Sequence, residues 1–102
     1  NLTIINQTFI VEEDVLQQWL EWIKQEYIPD ALNSGMFTAF KILKVTTPSI
    51  DPGNTFALQL TVHENILASG LETSYFVKKD AMTQIKFGEK VLFFRTLLEE
   101  LL

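Results

Sequence analysis

His63 is the chain's single imidazole. It closes an alternating run, Thr55 to His63, that places Phe56, Leu58, Leu60 and Val62 on one side and Ala57, Gln59, Thr61 and His63 on the other. An imidazole titrates near neutral pH, so this position suits a proton acceptor, with Gln59 and Thr61 as hydrogen-bonding neighbours and Ala57 leaving room. An exposed or hydrogen-bonded His at a strand end is the commoner role of such a residue. Tyr27 could bring a phenol to the same space, against the plainer role of a core aromatic whose hydroxyl is satisfied at the edge. Trp19 and Trp22 share one helical face, where core packing is expected ahead of a ligand-stacking platform. Arg95 shares a strand face with Val91, Phe93 and Leu97 and must be paired, either by a carboxylate at a dimer surface or by an anionic ligand. Taken together, Tyr27, Gln59, Thr61, His63 and Arg95 are the candidate pocket residues. The expected pocket lies between the region 27–29 and the face of β-structure carrying Ala57, Gln59, Thr61 and His63.

Several chemistries lack their residues. There is no glycine-rich phosphate loop, no nucleophile elbow and no convincing carboxylate pair. With no cysteine and one His, disulfides, thiolate ligands, cysteine nucleophiles and a dedicated zinc site all fall away, and neither a metal nor a cofactor is expected. Eight basic residues stand against thirteen acidic ones for a net charge of −5. Glu12, Glu13, Asp14, Glu21, Glu26 and Asp30 crowd residues 12–34 against Lys24 alone. Nucleic acid and anionic membranes call for the opposite surface, so neither is an expected partner. No apolar stretch approaches the ~20 residues of a membrane span, and the chain reads as a soluble cytoplasmic protein. Whether it is an enzyme is left open by these residues.

The elements that position the candidates follow from periodicity. Residues 2–11, LTIINQTFIV, are rich in β-branched and aromatic types and predict a strand. From Glu12, apolar residues recur at helical steps (Val15, Leu16, Trp19, Leu20, Trp22, Ile23, Tyr27), with acids in the first turn. Pro29 predicts a bend or break at 27–29, and Asn33, Ser34 and Gly35 a stop. A strand over 36–46, a loop over 46–54 and the strand 55–63 form a hairpin. A second helix follows, with a capping-box spacing at Ser69 to Glu72 and a stripe of Leu71, Tyr75, Met82 and Ile85, and Gly88 ends it. The last strand, 91–98, puts Phe93 and Phe94 on opposite faces, so both faces require cover.

All 102 residues fit one domain. The order strand, helix, strand, strand, helix, strand predicts an α+β, ferredoxin-like βαββαβ fold, an antiparallel sheet with two helices on one face. Its other face is then bare. With 47% hydrophobic residues, eight Phe and a mean hydropathy of +0.14, the economical cover is a second copy in a homodimer.

Two stretches, WLEWIKQEYIPDALNSGMF (19–37) and KFGEKVLFFRTLLEEL (86–101), carry an aromatic first helix, an aromatic-Ile-Pro turn, a Gly-x-Phe strand start and a Phe-Arg-Thr strand. In these the chain resembles the bacterial, largely Bacteroidetes family known as domain of unknown function 4286. The resemblance implies a dimeric α+β barrel protein, with a ferredoxin-like protomer and a homodimer, and it brings no established activity. Members often have His before Ile-Pro, where this chain has Tyr27. By analogy with α+β barrels, a small apolar organic molecule would bind between sheet and helices. The alternative is a non-catalytic module for interaction with another protein.

Overall fold

A computed structural model of the protein describes residues 2–47, 54–63 and 71–102. Strand β1 (Thr3–Val11) leads through a 3-10 turn (Glu13–Val15) into helix α1 (Leu16–Trp22). A π-helical turn (Ile23–Tyr27) and helix α2 (Ile28–Asn33) continue the same arm. Strands β2 (Phe37–Lys44) and β3 (Asn54–Val62) follow, then helix α3 (Leu71–Phe87), a 3-10 turn (Gly88–Lys90) and strand β4 (Val91–Glu99). Both helical arms stop where a glycine takes a positive φ, Gly35 at 79° and Gly88 at 59°, a conformation that a side chain would strain.

The described strands form one antiparallel sheet in the order β2-β3-β1-β4, compatible with a ferredoxin-like fold. Register sets Phe9 opposite Phe56 on β3 and Phe93 on β4, so all three lie on one face. The helices pack on that face: Trp19 meets Phe9 and Phe56, while Phe76 of α3 meets Phe37. The alternation read in β3 holds, with Phe56, Leu58, Leu60 and Val62 buried in the core. Trp19 and Trp22 are buried with them, as expected for core aromatics. The molecule is a slab with principal extents of 39 × 31 × 19 Å, and the short one is the thickness of one sheet plus one helical layer. The far face of the sheet is accordingly bare, and Leu92, Phe94 and Leu98 of β4 and Leu43 of β2 are exposed.

Two expectations are corrected. The chain does not break at 27–29: Ile28 keeps helical angles (φ −67°, ψ −47°) and Pro29 sits in the first turn of α2. In a regular α-helix the Pro29 ring would collide with the carbonyl four residues back, and the wider π turn that precedes it moves the carbonyls and absorbs the misfit. The buried side of α3 is also different, because Met82 and Ile85 are exposed and Tyr75 only half-buried, whereas Phe76, Lys79, Thr83 and Phe87 face inward. Docking both phenylalanines fixes the helix rotation, and Lys79 and Thr83 lie between them on the same line. Of the hairpin loop, residues 48–53 lie outside the described residues, as do Ser69 and Gly70 of the capping box.

Candidate functional site

Between sheet and helices the core contains polar groups that its aromatic shell does not satisfy. Tyr27, at the end of the π turn, is 1% exposed, with ring centroids 5.7 Å from Phe9 and 5.3 Å from Trp22 in edge-to-face arrangements. Burial pushes its phenol pKa up, the Asp80 carboxylate adds to this and the Arg95 guanidinium opposes it. Gln7 points into the same layer from β1 and is paired across the sheet with Arg95 of β4. Asp80 Oδ2 accepts from both terminal nitrogens of Arg95, at 3.0 and 2.5 Å, and the guanidinium lies 4.2 Å over the Phe76 ring. Burial raises the Asp80 pKa, and Arg95 pulls it back down. Among the described residues, Tyr27 Oη, Gln7 Oε1, Asp80 Oδ1 and Arg95 Nε are buried with no hydrogen-bond partner, as is Trp19 Nε1. Leaving such a group unpaired costs about 1–3 kcal/mol, so a cluster of four around one strand pair is a concentrated polar demand inside an apolar core. It comprises donors (Tyr27, Arg95) and acceptors (Gln7, Asp80), which suits the polar end of a small guest.

Beside Tyr27 opens a cavity of about 170 Å³ lined by Trp22, Glu26, Tyr27, Asp30, Lys79 and Met82, so it lies between the two helical arms and not, as expected, between helices and sheet. Lys79 reaches it from α3 with only 5% of the residue exposed. Its Nζ donates to the Tyr27 carbonyl and to Asp30 Oδ2, both at 3.0 Å, and lies 3.9 Å from the centre of the Tyr27 ring. Desolvation lowers the Lys79 pKa, and the hydrogen bond with Asp30 partly restores it. Asp30 also accepts from the Tyr75 hydroxyl at 2.7 Å, and these two donors hold its carboxyl below the usual aspartate range. Tyr75 is shifted up, first by burial and then by that hydrogen bond.

The sheet divides the residues singled out from the sequence. Tyr27 and Arg95 come together on the helical side, and the partner of Arg95 is Asp80 of the same chain rather than a carboxylate across a dimer. Gln59 and Thr61 lie on the bare face with Ala57, because the odd residues of β3 point away from the helices. There Gln59 donates to Asn6 Oδ1 at 3.4 Å and lines, with Thr61, a recess of about 220 Å³. His63 is exposed just past β3, its amide bonded to the Met36 carbonyl at 2.9 Å. The expected convergence of Tyr27 with Gln59, Thr61 and His63 therefore does not occur.

Sequence reasoning missed Gln7, Asp30, Lys79 and Asp80. Gln7 had a visible signal, since it interrupts the line Ile5, Phe9, Val11 on the core face of β1. Lys79 and Asp80 had none, because lysine on a helix is normally solvated and only the rotation set by Phe76 and Phe87 turns it inward. Among the described residues no group of three or more His, Cys, Asp or Glu could hold a metal ion. No described helix is long and apolar enough to cross a membrane.

Comparison with solved structures finds HapK from Hahella chejuensis similar in fold, with a TM-score of 0.62 at 14% identity, over 99% of this chain and 93% of that one. Identity that low carries the fold alone. No curated protein matches. A family model covers residues 2–101, which take in both helical arms and the whole sheet just described, and so the chain belongs to the family of domain of unknown function DUF4286.

Proposed function

We propose that the protein is a homodimer, a dimeric α+β barrel, that binds a small, largely apolar organic molecule between the two helical arms of each protomer. The observation that carries the ligand reading is the buried Tyr27–Asp80–Arg95–Gln7 cluster, with atoms unpaired among the described residues, next to a cavity with an aromatic wall. A cavity of about 170 Å³ is below the ~300–1,000 Å³ of ordinary ligand pockets and close to the ~150 Å³ that holds one benzene ring. The guest is therefore a single ring with one polar substituent, its body against Trp22 and Tyr27. Two-dimensional NMR with benzene, phenol and benzoate tests this. Saturable shifts of the Trp22 indole by at least one of them are expected, weakened about tenfold or more by Met82→Trp, which fills the mouth from an exposed position. No binding at millimolar concentration would leave the interaction-module reading in its place.

The dimer reading is supported by the bare sheet face. Exposed Leu92, Phe94 and Leu98 form an apolar strip beside the polar row Asn6, Thr8 and Gln59, a mixture suited to an isologous contact. Light scattering at micromolar concentration should give twice the chain mass of 11.7 kDa. A monomer would overturn the homodimer.

A further inference from the structure

We propose that Lys79 is a carbonyl-capturing amine, which condenses through its Nζ with a small aromatic aldehyde seated in the Trp22–Tyr27–Met82 cavity to form an imine. This rests on the small-molecule reading and extends it by naming a class of guest and a covalent bond. Arg95 is the single arginine, so the eight basic residues include seven lysines, and six of these are exposed. Lys79 alone is buried, and it lines a cavity that offers Trp22, Tyr27 and Met82 to a ring and Glu26 and Asp30 at its polar side. That combination gives an amine shielded from water at the place where an aldehyde would rest, which favours condensation over hydrolysis. Desolvation also lowers the Lys79 pKa, which enlarges the fraction of reactive free amine.

The proton inventory closes with groups already in contact. Asp30 Oδ2, 3.0 Å from Nζ, takes one proton from the ammonium. The freed lone pair attacks the carbonyl carbon, and a second proton moves from nitrogen to the former carbonyl oxygen, giving a carbinolamine. Asp30 returns its proton to that hydroxyl, the C–O bond breaks, water leaves and the C=N bond forms. Ammonium and aldehyde thus become a protonated imine and water, with no oxidant or reductant involved. The ammonium at the start and the protonated imine at the end carry the same positive charge, so the Tyr27 ring face, 3.9 Å from Nζ, can hold the product as it holds the ammonium. Asp30 is largely exposed, which leaves space beside it for the guest while it stays in contact with Nζ, and Lys79 is anchored by the Tyr27 carbonyl.

The test treats the full chain with benzaldehyde and sodium cyanoborohydride, which reduces the imine to a stable amine, and maps the adduct by peptide mass spectrometry. Labelling at Lys79 ahead of the six exposed lysines by about tenfold is expected, with Asp30→Asn slowing it several-fold and Lys79→Met abolishing it. Should Lys79→Met not fold, the site map on the unaltered chain decides alone. Labelling spread over the exposed lysines would overturn the proposal. Benzaldehyde binding seen as saturable tryptophan quenching, with no adduct at Lys79, would overturn the imine while sustaining the small-molecule reading. Neither quenching nor adduct would overturn both.

Discussion

Trp19→Ala should cost about 3–5 kcal/mol of folding stability, the range for deleting a large core aromatic. Trp19 has no exposed surface, and its ring lies 4.8 Å from Phe56 and 5.2 Å from Phe9, so it links helix α1 to two adjacent strands. Neither strand can close the resulting void, because β1 and β3 are tied by a continuous antiparallel register from Ile4↔Thr61 to Val11↔Asn54. For a domain of this length the expected fall in Tm is roughly 12 °C or more. Trp22→Ala, at 6% exposure and closer to the cavity mouth, should cost less. Calorimetry checks both, and a loss below about 1 kcal/mol for Trp19→Ala would mean that the helix arm does not pack as described.

The second large effect is expected at the Asp80–Arg95 pair. Removing the carboxylate with Asp80→Ala leaves the guanidinium between Phe76 and Gln7 with its main acceptor gone. Breaking a fully buried pair costs about 3–5 kcal/mol. Here the two side chains keep 24% and 28% of their exposure, so about 2–3 kcal/mol is expected. The double variant Asp80→Leu, Arg95→Met should recover most of that loss. The reason lies in the sign of the Asp80 shift. Burial raises its pKa more than Arg95 lowers it, so the contribution of Asp80 is fullest when it is protonated and declines as pH rises through its folded-state value. The ionised pair is thus stabilising only relative to a lone buried cation. Urea denaturation of the three variants measures this, and an Asp80→Ala cost within about 0.5 kcal/mol of zero would show that solvent screens Arg95.

Pro29 marks an irregularity in the sequence, but whether a helix breaks or widens there depends on what its two halves are docked against. Trp19 and Tyr27 both contact Phe9 across the irregularity, and keeping both contacts holds the arm on the sheet as one piece. In β3 the alternation was enough, since a side chain in a strand has two directions and Phe56, Leu58, Leu60 and Val62 choose one unambiguously. Which of the two faces would meet the helices could be inferred; which polar residues would face a cavity could not. Polar groups such as Gln59 and Thr61 beside the small Ala57 suggest space for a ligand, yet the helices cover the opposite side of the sheet.

The order and kind of the elements, the core side of β3, the burial of Trp19 and Trp22 and the family membership are all legible in the order of residues along the chain. Those features are local or periodic, and a few residues of spacing suffice to encode them. The composition of the candidate site emerges only from packing in three dimensions. Gln7, Tyr27, Asp80 and Arg95 come from four elements spread over 89 positions of chain, and Lys79 faces inward only because Phe76 and Phe87 set the rotation of α3. A buried charge carries no mark in its neighbours along the chain. Its partners arrive from other elements, and only their packing makes Lys79 a shielded amine rather than one more solvated lysine.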